Sequence, residues 1–390
     1  MERRKRIMLL VPSLMGGGQE RIAAGTARKL RTDYDVIFVV FNGENAKYDP
    51  GVPIVDLRLP ALSGRFNKLR NFLRRVRTLR RLKRSEGIDV SLSFGSTANL
   101  ANAFSRRSER LLVSVHGYGS LADCGLGRRL NRMIYRRADL TLCVSNRMRA
   151  DLAARYRLPD NKVRTLYNAY DFEEIRRLAE EPLQDFEFPF PTLVAAGRLT
   201  PVKGYGHMLR AFVMVAQRYP QARLLLLGEG ECSAQLCALA AELGIEAQVT
   251  FAGFQKNPYQ YMKRAHLFVL TSQSEGFPNV MAEAMACGLP VVSADCATGP
   301  REILSAGDWS KEASGVEYAD YGVLVPPMRP DHFRAEPPDD CERQFAEAAL
   351  TLLGDDKLRA DYAARALERS AAFGYDRYCE TLKRMVEACD

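Results

Sequence analysis

The stretch "LFVLTSQSEGFPNVMAEAMACGLPVVSAD", Leu267–Asp295, reads as strand, loop, helix and strand in succession. The short apolar runs "LFVLTS" and "PVVSAD" have the character of buried parallel strands. Between them, Pro278 stands where a first helical residue is favoured, because its missing N–H would be unpaired anyway. Gly288 stops the helix, and Pro290 follows just beyond it. The helix therefore opens at the carboxyl end of a strand, the edge where open α/β sheets bind their ligands. Its free N–H groups and dipole attract anions. Yet Glu275 lies in the preceding loop and Glu283 about a turn inside the helix, so two carboxylates share the volume of an anion site.

The same alternation runs outward in both directions and predicts parallel sheets covered by helices. Strand runs in the first half are "RIMLLVP", "DVIFVVF", "DVSLSF", "RLLVSVH", "LTLCVS" and "VRTLYN", with helices expected at about Gln19–Arg31, Arg65–Ser85 and Asn146–Tyr156. A second series follows in "TLVAAGRL", "ARLLLLGEG", "QVTFAGF", "LFVLTS", "PVVSAD" and "GVLVP". The proline-rich segment "EEPLQDFEFPFP", Glu180–Pro191, separates the two series and reads as a linker. The expected architecture is α/β: two doubly wound, Rossmann-like parallel-sheet domains, 1–185 and 186–372, facing across a cleft that holds the ligand. The last helix, about 373–390, is a candidate to pack back on the first domain.

A chain of 390 residues is too long for one ordinary core, in keeping with two domains. Nine cysteines occur without a CxxC pair, and only four histidines accompany them, so neither a structural zinc site nor a disulfide scaffold is indicated. Scattered thiols fit a reducing cytoplasm. The basic N-terminus "MERRKRIMLLVPSLMGGG" runs into Pro12 and three glycines, which suits a buried first strand better than a signal peptide. No apolar stretch approaches the roughly 18 residues that a membrane span needs. Charge is divided unevenly: residues 1–185 hold 36 Lys/Arg against 20 Asp/Glu, and the remainder 20 against 27. The first half is thus expected to face an anionic partner.

Two cations belong with the opening stretch. In "GRLTPVKG", Arg198 and Lys203 leave the first strand of the second series at its carboxyl end, where a phosphate at the helix would lie. Fixed donors and cations of this kind can stabilise a departing diphosphate without a metal ion. Glu283 and Glu275 are then free to bind neutral hydroxyls, a ribose diol and a transferred sugar respectively. Taken singly, each of these residues is an ordinary surface charge; their conjunction is far more specific.

With "MGGGQER" near the start, "GRLTPVKG" and "EGFPNVMAEAMACGLPVV" make the chain resemble the retaining glycosyltransferases of GT-B fold. That family includes lipopolysaccharide, capsule and phosphatidylinositol-mannoside transferases. The resemblance covers nearly the whole chain, and the Glu–seven residues–Glu signature falls on Glu275 and Glu283. It implies that Glu283 binds ribose, that Glu275 with the backbone of Phe277, Pro278 and Asn279 holds the donor sugar, and that Val280 also belongs to the donor site. It also implies that Arg198 and Lys203 grip the diphosphate, and that no metal or other cofactor takes part. "FAGFQKN", with Phe254, is where a uracil base would be selected. Gly16, Gly17 and Gly18 become a lid over the donor phosphates and acceptor, and His116 a contact to the donor sugar near its reacting carbon. "YNAYD" resembles the family's Asn-Gly-x-Asp segment, but Ala169 replaces the glycine and leaves Asn168 without a role.

The resemblance makes the catalytic set Glu275, His116, Arg198 and Lys203. It implies transfer of a hexose or N-acetylhexosamine from UDP to a lipid-linked or polysaccharide acceptor. Between Arg65 and Arg84 stand ten Lys/Arg and no acid, with Phe66, Leu69, Leu73, Val76, Leu79 and Leu82 at helical spacing. Such a helix suits an anionic bilayer or a lipid-linked pyrophosphate, at about 1 kcal/mol per cation near the surface. The expected location is cytoplasmic, at the inner face of the membrane. A nucleotide-sugar 2-epimerase of similar fold is an alternative; it would turn over without an acceptor, and the EGFPN loop argues against it. A nucleic-acid-binding protein is another, but the aromatics of the basic run are not interleaved with its cations as stacking platforms, and no known module appears.

Overall fold

Two seven-stranded sheets organise the chain, one in each of two compact units. The computed structural model describes residues 3–117, 125–183 and 187–387. The first unit comprises Met1–Tyr170 and Tyr375–Asp390, the second Asp171–Gly374.

In the first unit the strands are β1 (Arg6–Val11), β2 (Asp35–Val40), β3 (Ile54–Asp56), β4 (Val90–Phe94), β5 (Arg110–Val115), β6 (Leu140–Cys143) and β7 (Val163–Thr165). All pair in parallel, in the order β3-β2-β1-β4-β5-β6-β7. The helices are α1 (Gly18–Leu30), α2 (Arg65–Ser85), α3 (Ser96–Phe104), α4 (Gly125–Arg137) and α5 (Asn146–Tyr156). The central strands β1 and β4 are buried almost throughout, as expected of a parallel sheet covered on both faces.

The second unit begins with α6 (Phe172–Ala179). Its strands are β8 (Thr192–Ala196), β9 (Arg223–Leu227), β10 (Val249–Phe251), β11 (Leu267–Leu270), β12 (Val291–Ala294), β13 (Glu317–Tyr318) and β14 (Val323–Val325). Their order is β10-β9-β8-β11-β12-β14-β13, with only β13 antiparallel to its neighbour. Helices α7 (Tyr205–Arg218), α8 (Ser233–Glu242), α9 (Tyr259–Arg264), α10 (Asn279–Ala286), α11 (Pro300–Leu304), α12 (Asp340–Gly354) and α13 (Asp356–Ser370) complete it. A final helix, α14 (Tyr375–Glu387), belongs to the first unit.

The apolar runs mark twelve of these fourteen strands. The exceptions, β3 and β13, are short and lie at sheet edges, where little burial is required of the side chains. The division between the units falls after Tyr170, ahead of the proline-rich segment, of which 184–186 lie outside the described residues. The reason is α6. Asn257 Nδ2 donates to the Leu178 carbonyl at 2.8 Å, and Arg264 Nη2 to that of Glu181 at 3.1 Å, tying its end to the second unit. Helix α14 packs on α1: Tyr34 Oη donates to Glu387 Oε1 at 2.6 Å, and Lys383 Nζ lies 2.6 Å from Asp33 Oδ2.

A buried ionic network holds α7 to the start of α12. Arg210, fully buried, donates through Nε to Glu342 Oε1 at 2.8 Å and through Nη1 to the His332 carbonyl at 2.7 Å. His207 Nδ1 lies 2.6 Å from the same Glu342 oxygen. Burial raises the Glu342 carboxyl, but hydrogen bonds from His207 and Arg210 outweigh it and bring the group down to about 2.

Candidate active site

In the second sheet the strand order reverses between β8 and β11, so the loops following these strands flank a topological switch point. After β8 the chain makes a 3-10 turn, Pro201–Lys203, and Gly204 follows with φ +67°. A Cβ on Gly204 would stand 2.2 Å from the Thr271 carbonyl oxygen, so only glycine lets the turn press against the end of β11. Thr271 Oγ1 donates to the Gly204 carbonyl at 2.8 Å, and the Gln273 amide to that of Val202 at 2.9 Å. These bonds hold Lys203 over the loop after β11. Its Nζ donates to Glu275 Oε1 at 2.6 Å, with side-chain exposures of 24% and 9%. A charge-assisted bond so sheltered is among the stronger polar contacts.

Glu275 is held from behind as well. Thr298 Oγ1 donates to its backbone carbonyl. The segment after β12 that carries Thr298 is braced by Arg301, whose Nη2 lies 2.6 Å from Asp295 Oδ2 and 2.8 Å from Glu317 Oε2. Neither Thr298 nor Arg301 was singled out from the sequence, although both stand in "DCATGPREIL". Ser272 Oγ and Gln273 Nε2, in the loop that leads to Glu275, are buried without a hydrogen-bond partner among the described residues. Buried polar atoms are normally satisfied, so these two mark a place for water or ligand.

Helix α10 opens directly after this loop. Pro278 is its N-cap, with ψ 93°, and not its first helical residue as the sequence suggests. The shift costs no hydrogen bond, since proline has no N–H, and the Met281 amide closes on the Pro278 carbonyl at 3.0 Å. Phe277 is buried edge-on against Phe373, ring centroids 5.2 Å apart. Asn279 and Val280 form the half-buried first turn. Glu283 points inward and is buried; burial, with its charge nearby, pushes the Cys287 thiol up to about 12.

Two further expected donor residues, Arg198 and Phe254, belong to the same unit. Arg198 is exposed on the same β8–α7 connection. Phe254 is 61% exposed beyond β10, where its amide donates to Glu229 Oε1 at 3.3 Å.

In the first unit the sheet reverses between β1 and β4. Gly16, with φ +127°, and Gly17 lead into α1, whose first residue is Gly18. Here the structure adds a residue that the sequence reading missed. Glu20 Oε2 accepts the amides of Gly16 and Gly17 at 2.9 and 3.1 Å, and its other oxygen accepts Ser13 Oγ at 2.8 Å. The amides expected to meet a ligand are engaged by the chain's own carboxylate. The signal was present: a Glu three residues after the N-cap is the acid of a capping box.

His116 follows β5, with Nε2 2.9 Å from Ser114 Oγ and its ring 5.8 Å from that of Phe94. Burial pushes its imidazole down to about 4, so it is neutral near pH 7. Ala169 is buried and takes no positive φ, so the left-handed turn a glycine would permit does not form there.

Among the described residues, His207, Asp339 and Glu342 bring possible metal-ligand atoms within 4.8 Å of one another. The Arg210 guanidinium already supplies the positive charge at that cluster.

Two seven-stranded, mainly parallel sheets of this order, one in each unit, make up a GT-B fold. Residues 184–336 match the family described as Glycosyl transferases group 1, and residues 16–174 match Glycosyltransferase Family 4. Together the two matches cover most of the chain, and its fold is that of the GT-B glycosyltransferases. It is 30% identical over 266 residues to a glycosyltransferase of Methanocaldococcus jannaschii, an alignment spanning 66% of this chain and 65%, less than two thirds, of that one. It is 28% identical to the N-acetylgalactosamine-N,N'-diacetylbacillosaminyl-diphospho-undecaprenol 4-alpha-N-acetylgalactosaminyltransferase of Campylobacter jejuni, over 95% of this chain and 96% of that one. Anabaena Alr3699/HepE, solved in complex with UDP, shares the fold at a TM-score of 0.73 and 20% identity, over 98% of this chain and 100% of that one.

Proposed function

We propose that the chain is a retaining, metal-independent glycosyltransferase. It moves a hexose or N-acetylhexosamine from a UDP donor to a hydroxyl of a lipid-linked glycan or surface-polysaccharide precursor. The Lys203–Glu275 pair carries this reading. A donor diphosphate competes with the carboxylate for Lys203, and Glu275, so released, accepts hydrogen bonds from the sugar's hydroxyls. Arg198 adds a second cation, and the first turn of α10, with Phe277, Pro278, Asn279 and Val280, adds its dipole. Glu283 binds the ribose, and the segment around Phe254 the base.

As the bond from the anomeric carbon to the diphosphate oxygen breaks, the acceptor oxygen bonds that carbon on the same face. The departing phosphate oxygen takes the acceptor's proton, so no general-base carboxylate is needed. The cations and helix dipole stabilise the charge that builds on the leaving group. Neutral His116 and the Gly16–Gly18 turn serve the donor sugar and acceptor side.

The Anabaena protein was solved in complex with UDP, and the Campylobacter relative's name specifies an N-acetylgalactosaminyl group and a diphospho-undecaprenol acceptor. Both support the donor and acceptor proposed. That name also specifies an alpha linkage, the outcome that retention gives when the donor's own bond is alpha.

Attachment to an anionic membrane surface through α2 is part of the proposal. Phe66, Leu69 and Leu73 are 77%, 58% and 43% exposed on its N-terminal half, among Arg65, Lys68, Arg70 and Arg74. Among the described residues no helix is long and apolar enough to cross a membrane.

Thermal-shift screening of UDP- and GDP-sugars tests the donor class, since a ligand that binds only the folded state raises its melting temperature. Stabilisation by GDP-sugars alone would refute the UDP assignment. The anomeric configuration of the product, read by NMR, tests retention.

A further inference from the structure

A surface pocket of about 370 Å³ in the first unit lies between α4 and the end of α5. Five arginines line it: Arg128, Arg129 and Arg132 from α4, and Arg155 and Arg157 from the end of α5 and its cap. Among the described residues no acidic side chain lines it. No hydrogen bond or ion pair among the described residues engages the side chains of Arg128, Arg129, Arg132 or Arg157. Gathering guanidinium groups this way raises their mutual repulsion unless an anion joins them.

The wall is built rather than incidental. Tyr156, buried, accepts a hydrogen bond from Asn131 Nδ2 at 3.2 Å and packs edge-on against Tyr135, centroids 5.0 Å apart. These contacts lock the last turn of α5 to α4. Arg157 then caps α5 with φ 52°, in the left-handed region. Glycine is the usual residue at such a position, and a bulky side chain there carries strain. The strain is tolerated in a residue that lines the cationic pocket.

We propose that this pocket binds a phosphate-bearing anion, with a diphosphate the best match to several convergent guanidinium forks. Arginine is suited to this because its planar donors grip phosphate oxygens in pairs. The site is independent of the donor reading, since all its residues lie in the first unit and Arg198, Lys203 and Glu275 in the second. The diphosphate can be a soluble anion or the headgroup of a lipid, and the same chemistry serves both.

Titration calorimetry of the full chain with inorganic pyrophosphate tests the site. The variants are Arg157→Gly, the pair Arg129→Gln/Arg132→Gln, and Lys203→Ala. Glycine suits the backbone at 157, so that variant is expected to melt at the same temperature or higher while losing a cation. The expected result is a pyrophosphate site weakened about tenfold or more by Arg157→Gly and by the arginine pair, yet retained in Lys203→Ala. Binding lost only in Lys203→Ala would belong to the donor site and overturn the proposal, as would affinity unchanged in both arginine variants.

Vesicles of phosphatidylcholine with and without phosphatidylglycerol distinguish the sources. Vesicle binding that falls in the same variants and is displaced by pyrophosphate identifies a lipid headgroup. Vesicle binding that is unaffected, with pyrophosphate binding lost, identifies a soluble anion.

Discussion

Lys203 Nζ stands 2.6 Å from Glu275 Oε1, joining two loops that are 72 residues apart in the chain. Each charge answers the other while no donor is bound. If the donor diphosphate takes the lysine, the two residues must respond differently to substitution. Glu275→Gln is expected to bind UDP as tightly as the parent or more so, because Lys203 loses its competitor. Its turnover should fall about 10²- to 10³-fold, as when one group stabilising a transition state is removed. Lys203→Ala should weaken UDP binding about tenfold or more, the scale of one hydrogen bond to a charge. Calorimetry with UDP and a transfer assay separate these effects; equal losses of affinity in both variants would break the scheme.

Gly204 sets that pairing. Gly204→Ala forces a side chain onto φ 67° and towards the Thr271 carbonyl. The expected cost is about 1–3 kcal/mol of stability from the backbone alone. A lower melting temperature with weakened UDP binding should follow; a variant as stable and active as the parent would show that the turn can shift.

The network around Arg210 predicts a large loss. Arg210→Ala removes the guanidinium from Glu342 and Asp331, both buried, leaving uncompensated charge at a cost of about 3–5 kcal/mol. Glu342 adds a dependence on acid. Its pKa falls from an ordinary 4.5 to about 2 on folding, so its contribution is complete above pH 4.5 and is lost as pH falls towards 2. In that window the unfolded chain binds more protons, so stability must rise with pH. Urea unfolding at several pH values should show this slope, and Glu342→Gln should flatten it.

His116 contributes a second window. Its pKa drops from 6.5 to about 4 on folding, so the unfolded chain takes up a proton first as pH falls. The stability it supports is present above pH 6.5 and disappears between there and about 4. His116→Gln should remove this part of the curve. An unchanged slope between pH 6.5 and 4 would mean that the imidazole is not held neutral by the fold.

On α2, Phe66, Leu69 and Leu73 are exposed, so their replacement by serine is not expected to lower the melting temperature. Binding to phosphatidylglycerol vesicles should fall about tenfold, the energy of burying even one such side chain. The C-terminal half offers a contrast, because Leu79 is buried and Lys83 pairs with Glu109 at 2.6 Å inside the unit. Leu79→Ser should unfold the helix from its sheet, and equal vesicle binding by the triple-serine variant would end the membrane assignment.

Much of the fold was legible because burial on both faces of a parallel sheet demands continuous apolar runs, and those runs survive in the sequence as "RIMLLV" or "LFVL". The ends of α2 and α5 were legible too, as was the stop at Gly288. Glu275, Glu283, Arg198 and Lys203 could be named because strand ends and helix starts carry local marks. The edge strands β3 and β13 left no such mark. Neither did Glu20's capture of the Gly16 and Gly17 amides, although its spacing was visible, because a glutamate in a first turn is equally at home facing water.

The sequence by itself determined where strands and helices form and which loops leave the carboxyl ends of strands. Only the tertiary structure decided that β8 lies beside β11, and not beside β10, and so brought Lys203 to Glu275. It also decided that α14 returns to α1 and that arginines of α4 and α5 share a pocket. The physical reason is that periodicity records how each segment meets the core, a local property. Which segments become neighbours depends on strand order and on close approaches such as that at Gly204, and these arise only when the whole sheet is assembled.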